Sequence, residues 1–176
     1  NSVSRVVGTN LVLRQLLWGV AGLAVLLVLS RIRLDLYQRM APVLYTISIA
    51  ALFSVLAFGV VRGGSRAWFA LGPLTIQPSE FARLGTILMA AAWLARRRGK
   101  YLRGLEAATA AVIVGAPVVL IILEPDLGVG LTYLPVLGAV LWLGGLPRGL
   151  WATLLVLAIL AAGAGWQVAL KPYQKE

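Results

Sequence analysis

Apolar runs of about 18 to 22 residues, each closed by a short charged or Gly/Pro-rich break, constrain this chain more than any other feature. A helix of that length crosses a bilayer, because it rises about 1.5 Å per residue through a hydrocarbon core of about 30 Å. The runs cover roughly residues 11–30, 41–61, 79–95, 105–123, 127–145 and 150–170. The expected fold class is all-α: a polytopic helical integral membrane protein with six transmembrane helices, forming one membrane domain over 1–176. Composition points the same way. The chain is 60% apolar and only 12% charged, where a soluble domain is about a quarter charged.

A net charge of +10 raises the question of nucleic acid. The placement of the charges excludes it, because they gather in breaks between the apolar runs, where positive-inside topology needs them. Nine Lys and Arg fall on one side: Arg31, Arg33, Arg39, Arg96, Arg97, Arg98, Lys100, Arg103 and Arg148. Six fall on the other: Arg5, Arg14, Arg62, Arg66, Lys171 and Lys175. The dense cluster at 96–104 borders two spans, where the rule acts most strongly, so 31–40, 96–104 and 146–149 are expected in the cytoplasm. With no Cys and no His, the chain has no disulfide, no thiolate, no Cys/His zinc site and no imidazole base. Acid–base work falls to Asp, Glu, Lys, Arg or Tyr. The first residue is Asn, and the chain stops at KPYQKE. A longer parent protein is expected. The glycines inside spans (Gly19, Gly22, Gly115, Gly130, Gly138, Gly163 and Gly165) are expected to let helices pack closely.

Two polar stretches share the face opposite the basic cluster. The first is RGGSRAWFALGPLTIQPSEFAR, residues 62–83, whose part 62–78 is expected as an outer loop folded back on the membrane by its Gly and Pro residues. Its end, Gln77-Pro78-Ser79-Glu80, starts a helix, with Pro at the first position and an acid in the first turn. Glu80 and Arg83 are three apart and share a helix face. They are either an intrahelical pair with Arg83 reaching for headgroups, or a charged pair facing inward. Ionisable groups at membrane depth are costly and mark sites or pathways. A guanidinium there suits an anionic headgroup such as a pyrophosphate. Trp68 is either an interfacial anchor or a stacking platform for a headgroup, with Arg66 beside it.

The second stretch is EPDLG, residues 124–128. Asp126 is placed to cap the fifth span. Glu124 lies at a helix C-terminus, where the dipole disfavours an anion, and is expected to need Arg83 or Arg66 as its cation.

GGSRAWFALGP, IQPSEFARL, EPDLG and KPYQKE, in that order and membrane placement, resemble the SEDS family (shape, elongation, division and sporulation), the group of RodA and FtsW. The six spans resemble the second to the seventh of the family's ten, without the first and the last three. The resemblance implies a peptidoglycan glycosyltransferase that polymerises lipid II, an undecaprenyl-pyrophosphate-linked disaccharide-pentapeptide. The work takes place at the extracytoplasmic face of the bacterial inner (plasma) membrane, among membrane lipids and with a class B penicillin-binding protein as partner.

The family's sensitive residues carry over to Trp68, Glu80 and Arg83, the last replacing a usual Lys. Gln77, Arg66, Glu124 and Asp126 complete the expected site. The family's catalytic Asp falls in an outer loop after the last span here, so no catalytic residue is named on this chain. No cofactor and no protein-held metal are assigned; the leaving group's charge would be held by cationic side chains, Arg83 with Arg66, or alternatively by a divalent cation, Mg²⁺ or Mn²⁺. The implied step is attack of a sugar 4-hydroxyl on an anomeric carbon, with undecaprenyl pyrophosphate leaving. Two other functions fit the same residues: a lipid II flippase or other membrane transporter, and a non-catalytic scaffold for a cell-wall synthase. The ionisable groups within spans gather near one face, which favours chemistry there over transport. An elongation role of the RodA kind is preferred to division.

Overall fold

The computed structural model describes residues 2–72, 74–97, 101–102, 104–147 and 149, with side chains from Val12 onward except at Leu71 and Leu74. The expected sixth span, 150–170, the KPYQKE end, Pro73, Arg98, Lys100, Arg103 and Arg148 lie outside the described residues. Where one domain is expected, the chain divides into two compact units, residues 1–40 and 41–176.

The first unit is built on helix α1 (Ser2–Ser30). Its side chains from Val12 to Ser30 are all exposed. A helix apolar all round belongs in lipid or against other helices. In the turn after it, Arg33 pairs with Asp35 at 3.1 Å, and the Tyr37 hydroxyl donates to the Leu29 carbonyl at 2.8 Å.

The second unit holds most of α2 (Leu34–Phe58), a small sheet, and helices α3 (Pro78–Ala95), α4 (Leu105–Leu123), α5 (Leu127–Leu131) and α6 (Tyr133–Leu143). Helices lie over the first five expected spans, the fifth of them in two pieces. The segments 12–30, 34–58 and 105–123 are long and apolar enough to cross a membrane, and 127–143 is apolar but shorter. Helix α3 carries Glu80 and Arg83. The core joins Leu52, Ala82, Ala90, Ala110, Ile113, Val114, Ile121, Tyr133 and Val140.

The expected outer loop is instead largely strand. Val60–Arg62 (β1), Ser65–Leu71 (β2) and Leu74–Ile76 (β3) form an antiparallel meander, β1-β2-β3. Val60 pairs with Trp68, and Phe69 with Ile76. The turn residues explain it. Gly63 and Gly64, both at positive φ (59° and 85°), make the two-residue hairpin that twisted strands prefer. Alternation places Ser65 and Ala67 on one face of β2 and Arg66 and Trp68 on the other. Ala67 is fully buried and Arg66 exposed, so the first face is the covered one.

The expectation that glycines let the helices pack closely holds at a different residue. A Cβ on Gly19, Gly22, Gly115 or Gly138 would meet nothing within 4 Å, and on Gly130 it would make ordinary contact with Ile121 at 3.9 Å. Gly85 of α3 is the close approach: a Cβ there would lie 2.8 Å from the Ser48 Oγ of α2. Gly163 and Gly165 lie outside the described residues.

Helix α4 contains Pro117, which leaves the carbonyl four residues earlier, at Ile113, without its helical donor. The Tyr45 hydroxyl of α2 fills that vacancy at 2.8 Å. The single expected fifth span is divided at Thr132 into α5 and α6. Pro135 is the physical reason, since it cannot donate to Leu131 and its ring crowds that carbonyl.

At the basic end, the Leu102 amide donates to the Gly144 carbonyl at 2.9 Å. Arg97 pairs with Glu106 and lies over the Trp93 ring, 5.0 Å from its centroid.

Candidate functional site

The two polar stretches meet at the meander end of the bundle. Gln77 is the N-cap of α3, yet its side chain makes no capping bond. Its amide donates to Asp126 Oδ2 at 3.0 Å. The other oxygen of Asp126 accepts from the Val129 amide at 3.1 Å. One carboxylate thus caps α5, as expected, and ties the start of α3 to the EPDLG turn. A second tie runs alongside: the Ser65 hydroxyl of β2 donates to the Glu124 carbonyl at 2.6 Å. Strand, helix start and turn are thereby fixed to one another.

Glu80 and Arg83 form the i,i+3 ion pair through Glu80 Oε2 and Arg83 Nη2. Neither is deeply buried; the side chains are 47% and 29% exposed. Arg83 Nη1 also donates to Thr132 Oγ1 at 3.0 Å. The pair therefore faces the α5–α6 joint and remains partly exposed. A guanidinium has five N–H donors, and these two contacts leave donors on Arg83 to bind an anion.

Glu124 departs from expectation. It is fully buried at 0% exposure, and among the described residues neither carboxylate oxygen has a hydrogen-bond partner. The expected pairing with Arg83 or Arg66 is corrected on both counts: Arg83 turns to Glu80 and Thr132, and Arg66 stands exposed on the far face of β2. The group meets the energetic demand in a different way. Burial, and secondarily the neighbouring Asp126 charge, push its pKa from 4.5 up to about 7. The turn holds a carboxylic acid on the edge of ionisation at neutral pH.

Trp68 is half-buried and shares its strand face with Arg66, opposite the face that carries Ser65 to the EPDLG turn. The structure thus brings together Gln77, Asp126, Glu80, Arg83 and the Glu124 backbone, while Trp68 and Arg66 form a separate face of the meander.

Sequence reasoning missed Ser65, Thr132 and Tyr133. Tyr133 is 1% exposed and donates to the Ser79 carbonyl at 3.4 Å. Beside it, the Ser79 hydroxyl is buried without a partner among the described residues. Pro135 was the available signal: a proline inside an apolar run marks a joint, and polar side chains there have backbone or neighbours to serve. Among the described residues, no group of three Asp or Glu side chains lies close enough to hold a metal ion.

A polytopic helical bundle with a charged, hydrogen-bonded cluster at one end defines the class. The chain belongs to the FtsW/RodA/SpoVE family of cell cycle proteins, which it matches over residues 2–176. It is 34% identical over 143 residues to a probable peptidoglycan glycosyltransferase FtsW of Allochromatium vinosum, covering 80% of this chain and 35% of that one. It is 31% identical over 156 residues to the peptidoglycan glycosyltransferase MrdB of Escherichia coli K12, covering 88% and 42%. Among solved structures it resembles one from work on structural coordination of polymerization and crosslinking by a peptidoglycan synthase complex. There the TM-score is 0.72 at 38% identity, over 87% of this chain and 45% of that one. The chain thus spans less than half the length of these proteins.

Proposed function

We propose that the parent protein is a peptidoglycan glycosyltransferase that polymerises lipid II at the outer face of the bacterial inner membrane, in the service of elongation and cell shape. The observation that carries this is the Gln77–Asp126 hydrogen bond of 3.0 Å, which joins the QPSE helix start to the EPDLG turn in one cluster. The names of the relatives support the chemistry, and the synthase-complex neighbour supports a class B penicillin-binding protein as partner. The meander end is then extracytoplasmic and the Arg97 end cytoplasmic, by the positive-inside bias.

In this function Arg83, the cation beside the cluster, holds the pyrophosphate as negative charge develops on it. Glu80 orients Arg83. Gln77 and Asp126 hold the helix start in place, and Trp68 with Arg66 offers an aromatic and cationic face to the headgroup. The base that takes the proton from the attacking hydroxyl comes from the part of the parent protein beyond this chain.

The test is lipid II polymerisation by the purified full-length parent, wild type against Glu80→Gln, with product chains resolved on a gel. Polymer from wild type and a loss of tenfold or more in the variant supports the proposal. No polymer from wild type, even with its transpeptidase partner, refutes it in favour of transport or scaffolding. Complementation of elongation-deficient and division-deficient cells separates the RodA and FtsW roles.

A further inference from the structure

Arg83 is held from two sides. Nη2 meets Glu80 on its own helix, and Nη1 donates to Thr132 Oγ1 at 3.0 Å across the bundle. The Thr132 hydroxyl hydrogen is already committed, because it donates to the Val129 carbonyl at 2.6 Å. That leaves Thr132 Oγ1 only its lone pairs, and a guanidinium is a donor alone. The geometry is therefore directional: Thr132 can only accept from Arg83.

Thr132 owes its position to the interruption of the helical ladder ahead of Pro135. Its neighbour Tyr133 is buried and donates to the Ser79 carbonyl in the first turn of α3, which secures the joint against the helix that carries Arg83. A planar group anchored at two nitrogens has its plane and its free edge set. A lysine ammonium in the same place, a point charge on a flexible stem, has no plane to set.

We propose that Thr132 is a positioning residue that fixes the guanidinium plane of Arg83, so that its free donors present to an anionic phosphate or diphosphate group of the substrate. This rests on the glycosyltransferase function proposed above, and it adds a residue and a geometric reason for arginine at position 83. Thr132 touches Arg83 and not the reacting atoms.

The experiment uses the full-length parent protein and two readouts. The first is the kinetics of lipid II polymerisation across substrate concentration, and the second is affinity for undecaprenyl pyrophosphate in detergent. Thr132→Val keeps shape and removes the acceptor; it is expected to lower kcat/KM and weaken diphosphate binding about five- to tenfold, the scale of one lost intramolecular hydrogen bond acting through Arg83. Thr132→Ser restores the acceptor and is expected to regain most of that loss. In an Arg83→Lys background, Thr132→Val is expected to add less than twofold, because the two residues act together.

Equal binding by wild type and Thr132→Val overturns the inference, as does an undiminished effect of Thr132→Val in the Arg83→Lys background. The binding readout keeps the two proposals apart. Loss of diphosphate binding without polymerase activity in wild type sinks the enzymatic function and keeps the positioning role. Polymerisation by wild type with Thr132→Val unchanged does the reverse.

Discussion

Replacing Glu124 by Gln tests the account of the buried acid directly. The native carboxyl has 0% exposure and no hydrogen-bond partner among the described residues, and its pKa rises from 4.5 to about 7 on folding. The folded protein therefore binds this proton more tightly than the unfolded one. The stability tied to the protonated acid is fully present below pH 4.5 and is lost as pH rises through about 7. At about 1.4 kcal/mol per pKa unit, the shift from 4.5 to about 7 amounts to on the order of 3 kcal/mol. Water penetration at the turn lowers the figure, so it is an upper bound.

Gln is similar in shape and does not titrate. Both it and the protonated acid leave a donor to satisfy, so the two proteins are expected to be close in stability at pH 5. By pH 8 the variant is expected to be the more stable by about 2–3 kcal/mol. The assay is SDS unfolding of the full-length parent at a series of pH values, read as the difference between variant and wild type. Groups that do not interact with residue 124 cancel in that difference. Parallel stability curves from pH 5 to 8 would refute the reasoning and mean that the carboxylate finds a cation after all.

Two packing features give further predictions. Gly85→Ala puts a Cβ 2.8 Å from Ser48 Oγ and 3.4 Å from the Leu44 carbonyl. It is expected to cost about 1–3 kcal/mol, most of it regained by Ser48→Ala; the unfolding free energies of the three variants decide. Tyr45→Phe removes the donor to the Ile113 carbonyl and leaves that group unpaired inside the bundle. A loss of about 1–3 kcal/mol is expected in the same unfolding assay, and Pro117→Ala, which restores the helical donor to Ile113, should shrink it.

The helices were legible because the hydrocarbon thickness dictates the length of an apolar run, and no partner residue has to be known to count it. Asp126 was legible for a similarly local reason: a cap depends only on the three residues after it. The meander was not read, although Gly63-Gly64 is a hairpin signal. Its strands are too short and too mixed in polarity to stand out between two long spans. Glu124 shows a deeper limit. Sequence supplied the charge and the unfavourable dipole, and from these a cation was inferred. Raising the pKa satisfies the same energetics, and only burial tells the two apart. Arg83 was placed correctly on its helix, but its second partner is 49 residues away and invisible to helical spacing.

The irregular positions share one cause. In an apolar bundle every backbone group must be satisfied internally, so a helix interruption creates a local demand for polar side chains. Pro117 frees the Ile113 carbonyl, and Tyr45 answers it within the structural core. Pro135 interrupts the ladder at Thr132, and there the response is different: the freed joint receives Arg83, a charged group with donors still to spare. The first arrangement is closed, since one donor meets one acceptor and nothing is left over. The second is open, because an arginine held by Glu80 and Thr132 retains N–H groups that neither partner uses. By this criterion the meander end, rather than the proline-containing middle of α4, is where the fold leaves hydrogen-bonding capacity for a ligand.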